Sequence, residues 1–300
     1  MRVIVTGANG FIGQHCVKSL ANAGHDVYAF CLKEPDNRIE SVKYVILDLR
    51  DTESVNRYMK EISATHLLHL AWYVNPIDYM SSLQNIEWLN ISTKLLETFV
   101  NNGGKRVVTA GTCAEYDWSL LDEYEKKIIE DFPKNNGTTL YPVCKLALGN
   151  IFAAYMKYNN LSAVHGRIFY LFGPGENDSR LVSSAIKSFT IGKEIILRNT
   201  GYVRDYMYVK DVADAFTRLI ESDVIGAVNI ASGVGINLFN LLKCVEKTFA
   251  RVEGLVKTEA SGDMPNPPLE ITADVSKLKS IGWSPKYSIE EALIDYKMYI

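Results

Sequence analysis

The chain has 300 residues, of which 47% are apolar, 22% charged and 11% aromatic, enough to bury a large core and too apolar for a disordered or fibrous chain. Its 32 basic and 35 acidic side chains leave a formal charge of −3, and no long run of like charge marks a surface for nucleic acid or a membrane. The five cysteines, Cys16, Cys31, Cys113, Cys144 and Cys244, are odd in number, far apart and outside any metal-ligand spacing, so a reducing cytoplasmic setting with no metal site is expected.

Residues 2–6 read as a strand, 11–23 as a helix, 26–32 and 43–47 as strands, 54–61 as a helix and 66–70 as a strand. A long helix over 83–101 and a strand at 105–110 follow. With a strand and a glycine turn at the start, no signal peptide is expected, and no stretch reaches the roughly 18 apolar residues of a membrane span. Strands rich in Val, Ile and Leu without polar alternation are buried on both faces, so this alternation implies an α/β fold with a doubly wound parallel sheet of Rossmann type.

A further helix is expected at 141–158 and a sixth strand at 163–169. After the Gly173-Pro174-Gly175 turn the pattern is less regular, with helices near 181–190, 209–221, 238–249 and 289–298. The expected division is a dinucleotide-binding domain over residues 1–170 and, over 171–300, mainly a smaller C-terminal α/β substrate lobe with some segments returning to the sheet. Ligands of such sheets lie beyond the carboxyl ends of the strands, so the lobe closes a cleft there and confers substrate choice. Pro265, Pro267 and Pro268 read as a surface loop.

Directly after the first strand stands Thr6-Gly7-Ala8-Asn9-Gly10-Phe11-Ile12-Gly13, opening a helix. Gly7 permits the tight turn, Gly10 lets backbone approach a pyrophosphate, Gly13 lets helix and strand pack closely, and the helix start offers free N–H groups to the anion. The second strand ends without the acid that usually accepts from the adenosine ribose; Cys31, Leu32 and Lys33 stand there, with Arg38 slightly later. Lys33 or Arg38 paired with a 2′-phosphate makes NADP(H) the expected cofactor; a neutral strand end with solvated bases leaves NAD(H) as the alternative. Asp48, after the third strand, is placed to accept from the adenine amino group.

Tyr141-Pro-Val-Cys-Lys145 places Tyr and Lys one helical turn apart on one face. An ammonium there favours tyrosinate, and a lowered phenol pKa makes Tyr141 a usable acid or base. Thr112 follows the fifth strand, where its hydroxyl can bond the reacting oxygen beside Tyr141. Together these residues form a hydride-transfer site. His69 reads as a packed strand-end histidine, Cys113 as a packed thiol without a histidine to activate it, and Trp72, Tyr73, Tyr116 and Trp118 mainly as packing.

From Val3 to about Ala292 the chain resembles the extended short-chain dehydrogenase/reductases, the nucleotide-sugar epimerases, dehydratases and 4-ketoreductases, and is most similar to reductases of nucleotide-linked 4-keto-6-deoxyhexoses. The resemblance implies that Gly7, Asn9, Gly10, Phe11, Ile12 and Gly13 hold the cofactor, with Asp48 and Leu49 at the adenine and His69-Leu70-Ala71 at a ribose. It matches Thr112, Tyr141 and Lys145 to the catalytic Ser/Thr, Tyr and Lys. Arg167-Ile-Phe-Tyr170-Leu-Phe-Gly-Pro174 looks like the strand and turn after the catalytic helix, and Ile281-Gly-Trp-Ser-Pro285 like the usual ending. Gly201-Tyr-Val-Arg204-Asp205 is similar to the family signature whose Arg reaches the diphosphate; Arg204 and Asp205 as a local ion pair is the alternative. Thr112, Cys113, Tyr170, Arg180 and Arg204 are thereby the expected substrate contacts, and a homodimer through the helices at 83–101 and 141–158 is implied.

Two departures bear on the reaction. Dehydratases of this family carry Asp and Glu after the catalytic Thr, where this chain has Cys113 and Ala114, so dehydration is not expected. The stretch Glu259-Ala-Ser-Gly262-Asp263 lacks an Arg often found there, which leaves the nucleotide open. The expected function is NADP(H)-dependent reduction of a nucleotide-linked 4-keto sugar at C4. A 4-epimerase with tightly held NAD and a non-catalytic dinucleotide-sensing protein are the alternatives.

Overall fold

The computed structural model describes residues 1–121, 127–135, 137, 139–198, 200–259 and 269–300. The proline cluster and Gly262-Asp263 lie outside the described residues. The first half runs β1 (Arg2–Thr6), α1 (Phe11–Asn22), β2 (Asp26–Cys31), β3 (Lys43–Ile46), α2 (Thr52–Ile62), β4 (His66–His69), α3 (Gln84–Asn101), β5 (Arg106–Thr112), α4 (Leu140–Tyr158) and β6 (Ser162–Ile168). Then come β7 (Tyr170–Phe172), α5 (Leu181–Thr190), β8 (Ile195–Leu197), β9 (Val203–Arg204), β10 (Tyr206–Tyr208), α6 (Val209–Glu221), β11 (Gly226–Ile230) and β12 (Ile236–Asn237). The chain closes with α7 (Leu238–Phe249), β13 (Val256–Thr258), β14 (Glu270–Ile271), α8 (Ser276–Lys279) and α9 (Ile289–Lys297).

Seven parallel strands form the main sheet in the order β11-β6-β5-β4-β1-β2-β3. Strand order reverses between β1 and β4, and ligands of doubly wound sheets bind at that switch point. The two-residue period of a strand sends neighbouring side chains to opposite faces. Val3, Val5, Leu68 and Val108 therefore pack against α1 and α6 with Phe216, while Ile4, Leu67 and Val107 pack under α2, α3 and α4 with Phe99 and Leu148. Each such fully buried side chain contributes about 1.5–3 kcal/mol of transfer free energy.

Residues beyond 171 supply both α6, packed on α1, and the edge strand β11 beside β6. Phe172, Val182, Phe189, Tyr208, Leu241 and Leu293 form the lobe's own core, and the short strands pair as β10-β7, β12-β9-β14 and β13-β8. Strand β5 runs past the expected 105–110 to Thr112, because Gly111 pairs with Arg167 and Thr112 with Ile168. Helix α2 starts earlier than expected, at Thr52, because the Asp51 side chain accepts from Ser54 N and caps it. Among the described residues no helix is long and apolar enough to cross a membrane.

Candidate active site

The glycine turn sits against the end of β4. Gly7 has φ +66°, and a Cβ on it would lie 2.8 Å from Ala71 N and 3.1 Å from the Leu70 carbonyl carbon. A Cβ on Gly13 would lie 2.0 Å from Gly7 O, so only glycine lets α1 close on the turn. Gly10 is the N-cap of α1; no side chain caps it and the first turn, beginning Phe11-Ile12, holds no acid. Those N–H groups are the donors a pyrophosphate needs. Asn9 donates to the Lys33 carbonyl at 3.1 Å and ties the turn to the loop after β2.

The strand β2 closes on the buried Cys31, and Lys33 after it is exposed. Arg38 is ion-paired with Glu34 and lies 5.3 Å from the Tyr44 ring centroid. A groove of about 880 Å³ runs from Asn9 and Lys33 along α1 to α6. Asp48 accepts from Arg50 N at 3.0 Å, and half-buried Leu49 packs on the α2–α4 core.

The three expected catalytic residues converge at the carboxyl ends of the strands. Tyr141 lies in the first turn of α4, and its otherwise unpaired N–H donates to Met80 O at 3.0 Å, pinning the loop before α3 to α4. The Tyr79 ring stands edge-on to Tyr141 at 5.0 Å. Lys145 is 4% exposed; Nζ donates to Ala110 O at 2.9 Å and lies 4.1 Å from the Trp72 ring centroid. Burial brings its pKa down to about 7.

The expected lowering of the Tyr141 phenol by Lys145 is corrected by this geometry. Burial raises the phenol well above its usual value, Tyr79 adds to the rise, and the Thr112 hydroxyl pulls against it. The helical spacing puts both residues on one face, but the Lys145 ammonium is engaged with a strand carbonyl. His69 is 2% exposed, bonded to Thr6 Oγ1 at 2.7 Å and Ser92 Oγ at 2.8 Å, and burial with the Lys145 charge brings it down to about 3. It is a neutral packing residue, as expected.

Behind Thr112 lies a group that the sequence reading missed. Glu115 has no exposed surface; its Oε1 accepts from Thr112 N at 2.9 Å and meets His165 Nε2 at 2.8 Å, and its Oε2 accepts from Arg167 Nε at 2.7 Å. Burial alone would raise its pKa, but His165 and Arg167 overcome that and hold it at about 2. The signal was present as Thr112-Cys-Ala-Glu115, the spacing of a capping box, which the structure forms. Its partners on β6 lie 50 and 52 residues further along.

On the lobe side, Arg204 is 7% exposed and donates to Val203 O at 2.7 Å and Leu269 O at 3.0 Å, with its guanidinium near the Tyr202 and Tyr170 rings. It is not paired with Asp205, whose carboxylate accepts from Ser232 N, Gly233 N and Ala273 N. Exposed Arg180 lies 5.4 Å from the Tyr79 ring centroid. Burial pushes the Cys113 thiol and the Tyr170 phenol each up to about 12, so both side chains are neutral. His15 Nε2 donates to Pro174 O at 2.9 Å, which joins α1 to the lobe.

Comparison with known proteins places this geometry among relatives. The family model described as NAD dependent epimerase/dehydratase family matches residues 3–231. UDP-glucuronic acid decarboxylase 6 of Arabidopsis thaliana is 24% identical over 302 residues, 98% of this chain and 87% of that protein. CDP-abequose synthase of Salmonella typhimurium is 23% identical, over 97% of this chain and 95% of that protein. The structure of Thermus thermophilus UDP-glucose 4-epimerase in complex with NAD matches with a TM-score of 0.85 at 25% identity, over 100% of this chain and 98% of that one.

Proposed function

The chain belongs to the NAD dependent epimerase/dehydratase family, and we propose that it reduces the C4 carbonyl of a nucleotide-linked 4-keto-6-deoxyhexose, or a similar keto sugar, with NADPH. The observation that carries this reading is the chemistry of the β5 end. Thr112, Tyr141 and Lys145 stand together while the residues after Thr112 are Cys113 and Ala114, and the neighbouring carboxylate of Glu115 is taken up by His165 and Arg167. Dehydration needs a protein acid and base free to reach the sugar; reduction needs a hydride and one proton.

The glycine turn fits a dinucleotide, because the start of α1 has no side-chain cap and no acid in its first turn, leaving its N–H groups for a pyrophosphate. The nicotinamide, when bound, supplies the hydride. Lys145 would hold the nicotinamide ribose. Tyr141, kept protonated by burial, donates its phenolic proton to the forming alkoxide, and the Thr112 hydroxyl orients the same oxygen. Arg204, with no carboxylate partner among the described residues, is assigned to the diphosphate, Tyr170, Cys113 and Arg180 to the sugar-nucleotide wall, and the region beyond residue 170 to substrate choice.

NADPH is assigned from the end of β2, where Cys31 replaces an acid and the exposed Lys33 is free of any acidic partner among the described residues; Arg38 is held by Glu34. A 4-epimerase retaining NAD is the second reading, favoured by the likeness to the NAD-bound Thermus enzyme. A non-catalytic sensor has no use for Thr112, Tyr141 and Lys145 together. A homodimer through α3 and α4, in the cytoplasm, completes the proposal. The test is to denature purified protein, identify any released dinucleotide by mass, titrate the emptied enzyme with NADPH and NADH, and assay 4-keto sugars. Binding NADPH at least about tenfold tighter, about 1.4 kcal/mol, with keto-sugar turnover is expected. Stoichiometric released NAD with C4 epimerisation would replace this reading by the second.

A further inference from the structure

His165, on β6, occupies a slot between two glycines that belong to the two catalytic elements. A Cβ on Gly111 of β5 would fall 2.4 Å from its Nε2, and a Cβ on Gly149 of α4 would fall 2.7 Å from its Cδ2. The imidazole is thus a spacer between the strand that ends in Thr112 and the helix that carries Tyr141 and Lys145. Its ring is fixed at both nitrogens, by Thr109 Oγ1 at 2.7 Å and Glu115 Oε1 at 2.8 Å. Through that same Oε1 the Thr112 N–H is bound, and Arg167 locks the other carboxylate oxygen while donating to Glu130 O at 2.9 Å.

From this geometry we infer that Glu115 and His165 are positioning residues for the reaction: Glu115 fixes the backbone of Thr112 and hence the direction of its hydroxyl, and His165 fixes the gap between Thr112 and the Tyr141 helix. The inference rests on Thr112 and Tyr141 being the hydroxyl pair of the proposed reaction. The carboxylate cannot be exchanged for an amide without loss. Oε1 and Oε2 face donors on Thr112 and Arg167, so either orientation of a glutamine sets its NH₂ against one of them. A donor left facing a donor in a buried site forces the surrounding backbone to shift, and a shift of about 1 Å at reacting groups costs on the order of 100-fold in rate.

The test is a double-mutant cycle on turnover of a 4-keto sugar with NADPH, using Glu115→Gln and Thr112→Val, the latter keeping Tyr141 and a measurable residual rate. Glu115→Gln alone is expected to lower kcat on the order of 100-fold with KM and NADPH affinity unchanged. In the Thr112→Val background it should lower kcat by clearly less, because the part that acts through the Thr112 hydroxyl is already gone and only the His165 spacing of the Tyr141 helix remains to be lost. An equal loss in both backgrounds, or a loss carried by KM or cofactor affinity, overturns the inference. Gly149→Ala, which presses one methyl against the imidazole, serves if Glu115→Gln does not fold; an unchanged kcat in a folded Gly149→Ala protein also overturns it.

Amide hydrogen exchange separates this inference from the reaction it rests on, since it needs no substrate. The Thr112 N–H should exchange slowly in the wild-type chain and at least about tenfold faster in Glu115→Gln, or in Gly149→Ala if the former does not fold. Fast exchange in the wild type overturns the inference. Slow exchange lost in the variant, in a chain that turns over no keto sugar, supports the bracket and counts against the proposed reaction alone.

Discussion

Lys145 and Tyr141 share a helix face, yet burial acts on them in opposite senses: it brings the ammonium down to about 7 and raises the phenol. Lys145 is charged below that pKa and neutral above it. Attraction between its ammonium and the anionic dinucleotide is therefore present at low pH and lost as pH rises through about 7. NADPH affinity of the wild-type protein should fall across that range, and Lys145→Met should bind more weakly with that step removed. A wild-type affinity flat between about pH 6 and 8 would contradict this assignment. Tyr141→Phe should lower turnover by on the order of 10²- to 10⁴-fold, the contribution of a positioned proton donor, while leaving NADPH titration unchanged. Much of this was legible at the residue scale, because Tyr141 and Lys145 are one turn apart and Thr112 ends a strand. Which partner the ammonium chose was not, since Ala110 O is reached only when α4 packs on β5.

Elements were readable where a local pattern sets them. The Gly7, Gly10 and Gly13 spacing between a strand and a helix specified the turn, and the structure supplies the reason for each end: φ +66° at Gly7 and a 2.0 Å collision for any Cβ at Gly13. Gly13→Ala should therefore lose NADPH binding and cost about 1–3 kcal/mol of stability, the range for forcing an extra methyl into a packed site. Urea unfolding and cofactor titration check it; a stable variant that still binds NADPH would show that α1 can slide away from the turn. Boundaries were less legible. Gly111 hid the continuation of the strand past 110; its pairing with Arg167 extends β5 to Thr112, and glycine stands there because His165 and Glu115 leave no space for a side chain. The capping-box spacing of Thr112 and Glu115 could have been read; the 50-residue reach to His165 could not.

At the scale of the molecule, the sheet order β11-β6-β5-β4-β1-β2-β3 gathers Thr6, His69 and Thr112 at one edge, where α1 and the lobe face each other. Helices α3 and α4 pack side by side and carry exposed apolar side chains, among them Ile86 on α3 and Val143 and Ile151 on α4. Light scattering at micromolar concentration should give twice the chain mass, and Ile151→Asp should give the chain mass; a wild-type monomer would end the dimer proposal. The sequence by itself determined the α/β alternation, the glycine turn, the Tyr/Lys face and the absence of acids at positions 113 and 114, because each is a short-range pattern of period, spacing or residue type. Only the tertiary structure decided that Glu115 is consumed by His165 and Arg167, that Arg204 and Asp205 part company, and that Lys145 turns to a strand carbonyl. Those choices are competitions among buried donors and acceptors from distant segments, and packing brings the competitors together only when the whole sheet has formed.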